Sequence, residues 1–239
     1  IRTLNVKTNR TNFLPFNRMK VRLKKEIVSL GKGKININKF AGKLINPSEW
    51  DEIINDKNTR IIDVRNKFEI DIGRFKNSEN PHTQSFREFP KKLSLLNIKN
   101  DKKIALYCTG GIRCEKASAY LRTIGFKDVV QLKGGIINYL EYIKKNKEKS
   151  SWSGECFVFD NRVTVNRNLD SGNYFQCFGC KRPLKQKDKS SIYYKKGVHC
   201  PYCFYERSEI QKNRSSSRQK QIKIDRVQKR NNPYIKVTV

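Results

Sequence analysis

Cysteines carry the reactive chemistry of this 239-residue chain, in three groups: Cys108 with Cys114, Cys156 alone, and the quartet Cys177, Cys180, Cys200 and Cys203. Cys108 follows the apolar stretch KIALY and precedes a run of helical character that begins near Cys114. Between them lie Thr109, Gly110, Gly111, Ile112 and Arg113. A cysteine in a strand-to-helix loop faces the N–H groups of that loop and the positive end of the helix, and both favour thiolate over thiol. The two glycines let the backbone curl around the sulfur, and Arg113 adds a fixed positive charge. This pattern suits a nucleophilic thiolate, or a persulfide carried on it. A buried structural cysteine at a strand end is the plainer reading; the loop glycines and the arginine favour chemistry. Cys114 reads equally as a resolving thiol or as a packed helix residue.

The quartet has a different character. Cys177-Phe-Gly-Cys180 and Cys200-Pro-Tyr-Cys203 are two C-x2-C pairs with nineteen residues between them. Each pair can chelate from one tight turn, and two such turns complete a tetrahedral thiolate site for structural Zn²⁺. The intervening Lys181–Lys196 is too polar to make a core, so metal would supply folding energy. Two redox dithiols are the alternative. His199, next to Cys200, reads as a bystander because four thiolates already close the shell. Cys156 sits in a strand-like stretch and reads as packing, and the nearby Phe157, Phe159, Tyr174 and Phe175 read mostly as core, with base stacking as the alternative.

The elements that position these residues follow from hydrophobic patterning. Val21–Leu30 fits a strand with exposed lysines. Asn46-Pro47-Ser48-Glu49 opens a helix with a cap, a first-turn proline and an acid near the positive dipole end. Buried strands are expected at Arg60–Val64, Lys103–Tyr107 and Asp128–Leu132, and helices at Phe86–Leu96, Cys114–Ile124 and Ile136–Lys145. Strands alternating with helices imply an α/β domain with a mostly parallel sheet flanked by helices. The expected organisation is a basic arm and linker strand over 1–45, the α/β domain over 46–148, a hairpin with the four-cysteine module over 149–206, and a disordered basic tail over 207–239.

Lysine and arginine number 52 against 22 acidic residues, a formal charge of +30. The excess sits at the ends: residues 1–45 hold 12 basic and one acidic residue, and 207–239 hold 10 and two. Such a field favours a polyanion over a small neutral partner. A coding bias towards lysine, asparagine and isoleucine is the plain alternative. The tail Arg214–Arg230 suits phosphate binding without base readout. No apolar run reaches the roughly 20 residues of a membrane-spanning helix, and the first ten residues lack a secretory core. A reducing cytoplasm is the expected compartment, in which paired cysteines mean metal or redox chemistry rather than structural disulfides. The chain does not begin with Met, which leaves a processed form or a fragment open.

The segments RIIDVRNKFEIDIGRF, CTGGIRCEKASAYL and GFKDVVQLKGGI resemble a rhodanese domain. In that family the loop cysteine is the nucleophile, and the matching position is Cys108; Asp63 and Arg65 match a strand end that supports the fold. Arg74 stands where many rhodaneses carry histidine. The run YCTGGIRCEKASAYL, with PHTQSFREFP, LKGGIINY, WSGECFVFDNRVTVN and the late C-x2-C pairs, resembles more narrowly the bacterial tRNA uridine(34) hydroxylases, over about residues 20–205. That resemblance implies oxygen-dependent conversion of the wobble uridine of tRNA to 5-hydroxyuridine, with molecular oxygen as co-substrate and Cys108 essential. The family normally carries a further small α/β domain ahead of the rhodanese domain, and about 45 basic residues stand there in this sequence. The alternative function is a sulfurtransferase passing sulfur through a Cys108 persulfide. A degenerate domain that merely holds RNA is a third reading. A cysteine phosphatase is set aside, since four residues between Cys108 and Arg113 make too small a cradle for phosphate.

Overall fold

The computed structural model describes residues 13–17, 19, 21–98, 102–230 and 232. The first twelve residues of the expected basic arm lie outside them. The described residues divide into a sheet-containing unit, 23–158 with 164–174, and a second unit that holds those up to 22, 159–163 and those from 175 onward.

The sheet unit runs α1 (Ile37–Phe40), β1 (Lys43–Ile45), α2 (Pro47–Asn55), β2 (Thr59–Asp63), α3 (Lys67–Ile70), β3 (Gly73–Phe75), α4 (Phe89–Ser94), β4 (Lys103–Tyr107), α5 (Ile112–Thr123), β5 (Val129–Leu132) and α6 (Gly135–Asn146). Strands β1, β5, β4 and β2 form one sheet in that order, all parallel. Successive strand residues face opposite sides, and this splits the core in two. Ile61, Ala105, Tyr107, Val130 and Leu132 pack under α2 and α6. Ile62, Ile104, Leu106 and Val129 pack with Phe89 and Leu93 of α4 and with Cys114, Ala117 and Leu121 of α5. A parallel sheet covered on both faces reads as continuous apolar runs, which is how RIIDV and KIALY appear in the sequence.

Local signals set the ends of these elements. At the start of α2 the Asn46 N–H donates to the Glu49 carboxylate (3.1 Å), half of a capping box. Gly111, in the left-handed region at φ 90°, lets the chain turn from β4 into α5.

Several sequence expectations are corrected. Val21–Leu30 forms no strand; it is irregular, its exposed lysines have no sheet edge to join, and Leu30 alone is buried in the core. The sheet instead gains β1, three residues too short and too mixed in burial to stand out in the sequence, held by the Gly42 N–H on Ser118 Oγ (2.9 Å). The expected helix Phe86–Leu96 is a 3₁₀ turn, Phe86–Glu88, followed by α4. The stretch after α6 belongs to the sheet unit: β6 (Trp152–Gly154) pairs with β3, and β7 (Cys156–Phe157) pairs with β8 (Thr164–Val165). Trp152, Cys156 and Val165 enter the core, so the boundary expected near 149 falls inside this unit.

The second unit contains β9 (Phe175–Gln176) paired antiparallel with β10 (Pro183–Leu184), a 3₁₀ turn at Gln186–Ser190, and α7 (Glu209–Val227). Over 209–227 that helix corrects the expectation of a disordered basic tail over 207–239; residues 231 and 233–239 of the tail lie outside the described residues. Ser208 caps it through Gln211 N–H (3.3 Å), and the Gln211 side chain accepts from Ser208 N–H (3.2 Å). Arg207 donates to Gly179 O (2.7 Å) and Arg218 to Gly197 O (3.2 Å), so charged residues that suggested solvation anchor the helix on the cysteine module. Among the described residues no helix is long and apolar enough to cross a membrane.

At the end of β2, Asp63 and Arg65 form an ion pair (2.7 Å) whose side chains are both fully buried. Arg65 also donates to Gly73 O (2.6 Å) and Glu69 O (3.2 Å). Removing one member leaves a bare buried charge, which costs roughly 3–5 kcal/mol. Asp63→Ala is therefore expected to lower the denaturation midpoint sharply, measured by urea titration. The paired change Asp63→Leu with Arg65→Met should recover most of the loss.

Candidate active site

Cys108 directly follows β4, at the carboxyl end of a parallel sheet, where crevices for ligands form in open α/β folds. Its sulfur accepts the Gly111 N–H at 3.1 Å. Helix α5 starts at Ile112, two residues earlier than the sequence pattern indicated, so its first turn stands over the sulfur. Burial works against charging the Cys108 thiol. The Cys114 S–H, the Arg113 charge and the backbone N–H groups of Cys114 and Arg113 outweigh it, and the pKa is held down at about 6. A helix N-terminus that offers its free N–H groups to a sulfur acts in this direction. Burial and the neighbouring Cys108 push the Cys114 thiol well up. Cys114 therefore stays protonated and serves as the donor of the pair. Cys156, equally buried in the same unit but without such donors, is pushed up to about 12.

Arg113 is not free in the loop. Its guanidinium makes a two-pronged pair with Glu69 (2.7 and 2.8 Å) and reaches Thr109 Oγ1 (3.2 Å). Glu69, fully buried, comes from α3, and its carboxyl is held below the usual range: burial opposes this, and the Arg113 and Arg65 charges outweigh it. Arg113 thus braces the loop and acts on the sulfur as a nearby charge. Sequence reasoning missed Glu69, although it lies within the rhodanese-like stretch RIIDVRNKFEIDIGRF.

A second missed contribution is the start of α6. Ile136 N–H donates to Cys108 O (2.9 Å) and Ile137 N–H to Thr109 O (3.2 Å), so another helix N-terminus pins the backbone of the loop from behind. Gly135, at φ 66°, makes this approach possible: a Cβ there would run into the carbonyls of Cys108 and Thr109. The double glycine of LKGGIINY was its signal. Of the predicted loop residues, Thr109, Gly111, Arg113 and Cys114 are buried with Cys108, while Gly110 and Ile112 are exposed. Cys108 is only 1% exposed, and the exposed residues of its loop are Gly110 and Ile112.

This geometry can be set beside known proteins. A rhodanese-like domain model matches residues 46–142. A tRNA uridine(34) hydroxylase of Pelagibacter ubique is 49% identical over 216 residues, spanning 90% of this chain and 70% of that protein. The chain belongs to the tRNA uridine(34) hydroxylase family. Among solved structures, it is similar to a rhodanese-related protein from Thermoplasma volcanium (31% identity, 42% of this chain and 92% of that one, TM-score 0.36). It is also similar to a rhodanese-like domain protein from Staphylococcus aureus (26%, 41% and 90%, TM-score 0.35).

The quartet of this family member forms a second candidate centre. The sulfurs of Cys177, Cys180, Cys200 and Cys203 all lie within 4.8 Å of one another. The Sγ–Sγ separations are 4.0 Å for Cys177–Cys203, 3.8 Å for Cys180–Cys200 and 3.7 Å for Cys200–Cys203. Four thiolates at about 2.3 Å from a tetrahedral zinc stand roughly 3.8 Å apart, so the donor set fits that ion. His199 stays outside the group, with Nδ1 on Tyr193 O (2.8 Å). Phe157 is buried against Phe68, whereas Phe159 is largely exposed and Phe175 partly so, and neither belongs to the buried core.

Two measurements test these centres. Alkylation of Cys108 by iodoacetamide should rise with a midpoint near pH 6, because the thiolate is lost as pH falls through that value. Cys114→Ala should move the midpoint upward, and Cys156 should stay unreactive through pH 9; peptide mass spectrometry reads all three. For the quartet, elemental analysis should find one zinc per chain, and Cys200→Ser should abolish it and melt the module.

Proposed function

We propose that this chain hydroxylates the wobble uridine of tRNA to 5-hydroxyuridine, with molecular oxygen as co-substrate and Cys108 as the reacting group. The observation that carries the reading is a cysteine at the end of β4 whose sulfur accepts the Gly111 N–H at 3.1 Å under the first turn of α5, a setting that lowers its pKa, in a chain 49% identical to a protein named for this reaction. Conjugate addition of a thiolate to C6 of a uracil raises electron density at C5, which takes one atom of O2 as the hydroxyl while the other leaves as water with two electrons and two protons from an external reductant. Loss of the C5 proton then breaks the C6–S bond, expels the Cys108 thiolate and restores the ring. The cradle is suited to such a step because it keeps the sulfur charged while Thr109, Arg113 and Glu69 hold the loop rigid. The net charge of +30 supports an RNA substrate. A structural zinc on the quartet, and a cytoplasmic location with the tRNA pool, complete the reading.

The same cradle would stabilise a persulfide, which supports sulfur transfer as the second reading. Nucleoside mass spectrometry of tRNA from a deletion strain separates the two. Reintroducing this chain should restore 5-hydroxyuridine, and Cys108→Ala should leave none above the background. Restoration by Cys108→Ala would remove Cys108 from the reaction. A thiosulfate-dependent +32 Da adduct on Cys108 without 5-hydroxyuridine would favour sulfur transfer.

A further inference from the structure

The sheet unit contains a cleft of about 1220 Å³ that the loop chemistry does not use. One wall is the irregular segment 24–36 with Ile37 at the start of α1; the other is the outward face of α5, through Ile112, Glu115 and Lys116, with Arg87 at the side. Residues 112, 115 and 116 lie on one helix face, and that face starts one residue beyond Gly111, whose N–H holds the Cys108 sulfur. The cleft and the thiolate thus share the first turn of a single helix.

The charges of this cleft are unevenly matched. Lys116 is nearly buried and donates to Glu26 (2.8 Å) and to Val28 O (2.9 Å), which latches the irregular segment onto α5. Glu26 is spent in that latch, and the Arg87 charge also acts on it. Lys24, Lys25, Lys32 and Lys34 remain exposed, and none makes an ion pair among the described residues. Against them the lining offers one further acid, Glu115. An open cleft of this size with four exposed, unpaired lysines on one wall suits a chain of phosphates.

We propose that this cleft holds the phosphodiester backbone of the RNA substrate, with Lys24, Lys25, Lys32 and Lys34 as phosphate contacts that bring the target base to Cys108. This rests on the reading that the substrate is RNA. The latch explains why an otherwise irregular segment is worth fixing to the catalytic helix: the lysines travel with the end of α5 that charges the sulfur. Phosphate contacts of this kind set position and carry no base readout.

The test uses the full chain and an unmodified tRNA transcript with a wobble uridine. Binding is followed by fluorescence anisotropy from 50 to 300 mM salt, in a Cys108→Ala background so that it does not depend on chemistry. The fourfold variant K24A, K25A, K32A, K34A is expected to weaken binding 10- to 100-fold at 150 mM salt. Each lost phosphate contact should also flatten the log–log salt slope by roughly 0.7–0.9. The matched variant K57A, K76A, K127A, K145A, with the same loss of charge elsewhere on the unit, should change the affinity less than threefold. With Cys108 present, the cleft variant should raise KM for tRNA and leave kcat unchanged. Equal losses in the two fourfold variants, or tRNA binding by the cleft variant within twofold of the parent, overturn the proposal. If the parent binds tRNA through these lysines yet forms no 5-hydroxyuridine, the surface stands and the proposed reaction fails.

Discussion

A negative charge on a buried sulfur is the constraint on which the rest of the sheet unit depends. Removal from water alone drives a thiol towards the neutral form, as it does for Cys156 in the same unit. Cys108 is just as buried and goes the other way, to about 6. The difference is made by directed donors: the Gly111 N–H, the first N–H groups of α5 and the S–H of Cys114. Each has to point at one atom, so the loop has no freedom to relax without losing the charge.

That rigidity is supplied from outside the loop. Glu69 on α3 clamps Arg113 from one side, and the start of α6 holds the carbonyls of Cys108 and Thr109 from another. Behind them the buried Asp63–Arg65 pair ties the end of β2 to Gly73 and Glu69. None of these groups touches the sulfur. They are expensive to bury, and pairs of this kind are seldom net stabilisers of a fold. Their contribution here is positional: a well-paired charge has one low-energy geometry, and a loop braced by two of them inherits it.

The cysteine quartet solves a different problem. Its unit has a small apolar cluster, centred on the cysteines themselves with Leu184 and Tyr194. Four sulfurs converging at tetrahedral spacing let one ion supply the cohesion that a core of that size does not. Helix α7 is fastened to the same unit by arginine-to-carbonyl hydrogen bonds, which is how a segment of such polar composition becomes ordered.

The amino-acid sequence by itself determined the α/β alternation, the three buried strands RIIDV, KIALY and VVQL, and the position of Cys108 between a strand and a helix, because those depend on apolar runs and short-range spacing. It also identified the quartet, since C-x2-C pairs are local patterns with one dominant use. It did not show Glu69 beside Arg113, the pinning of the loop by α6, or the Lys116–Glu26 latch, since each joins residues 20 to 90 positions apart with no periodic signature. The strand expected at Val21–Leu30 and the disorder expected over Glu209–Val227 failed for the same reason. Alternating lysines look alike whether they edge a sheet or line a cleft, and arginines look solvated until backbone carbonyls are brought to meet them. Only the folded chain decides which partners a charge finds.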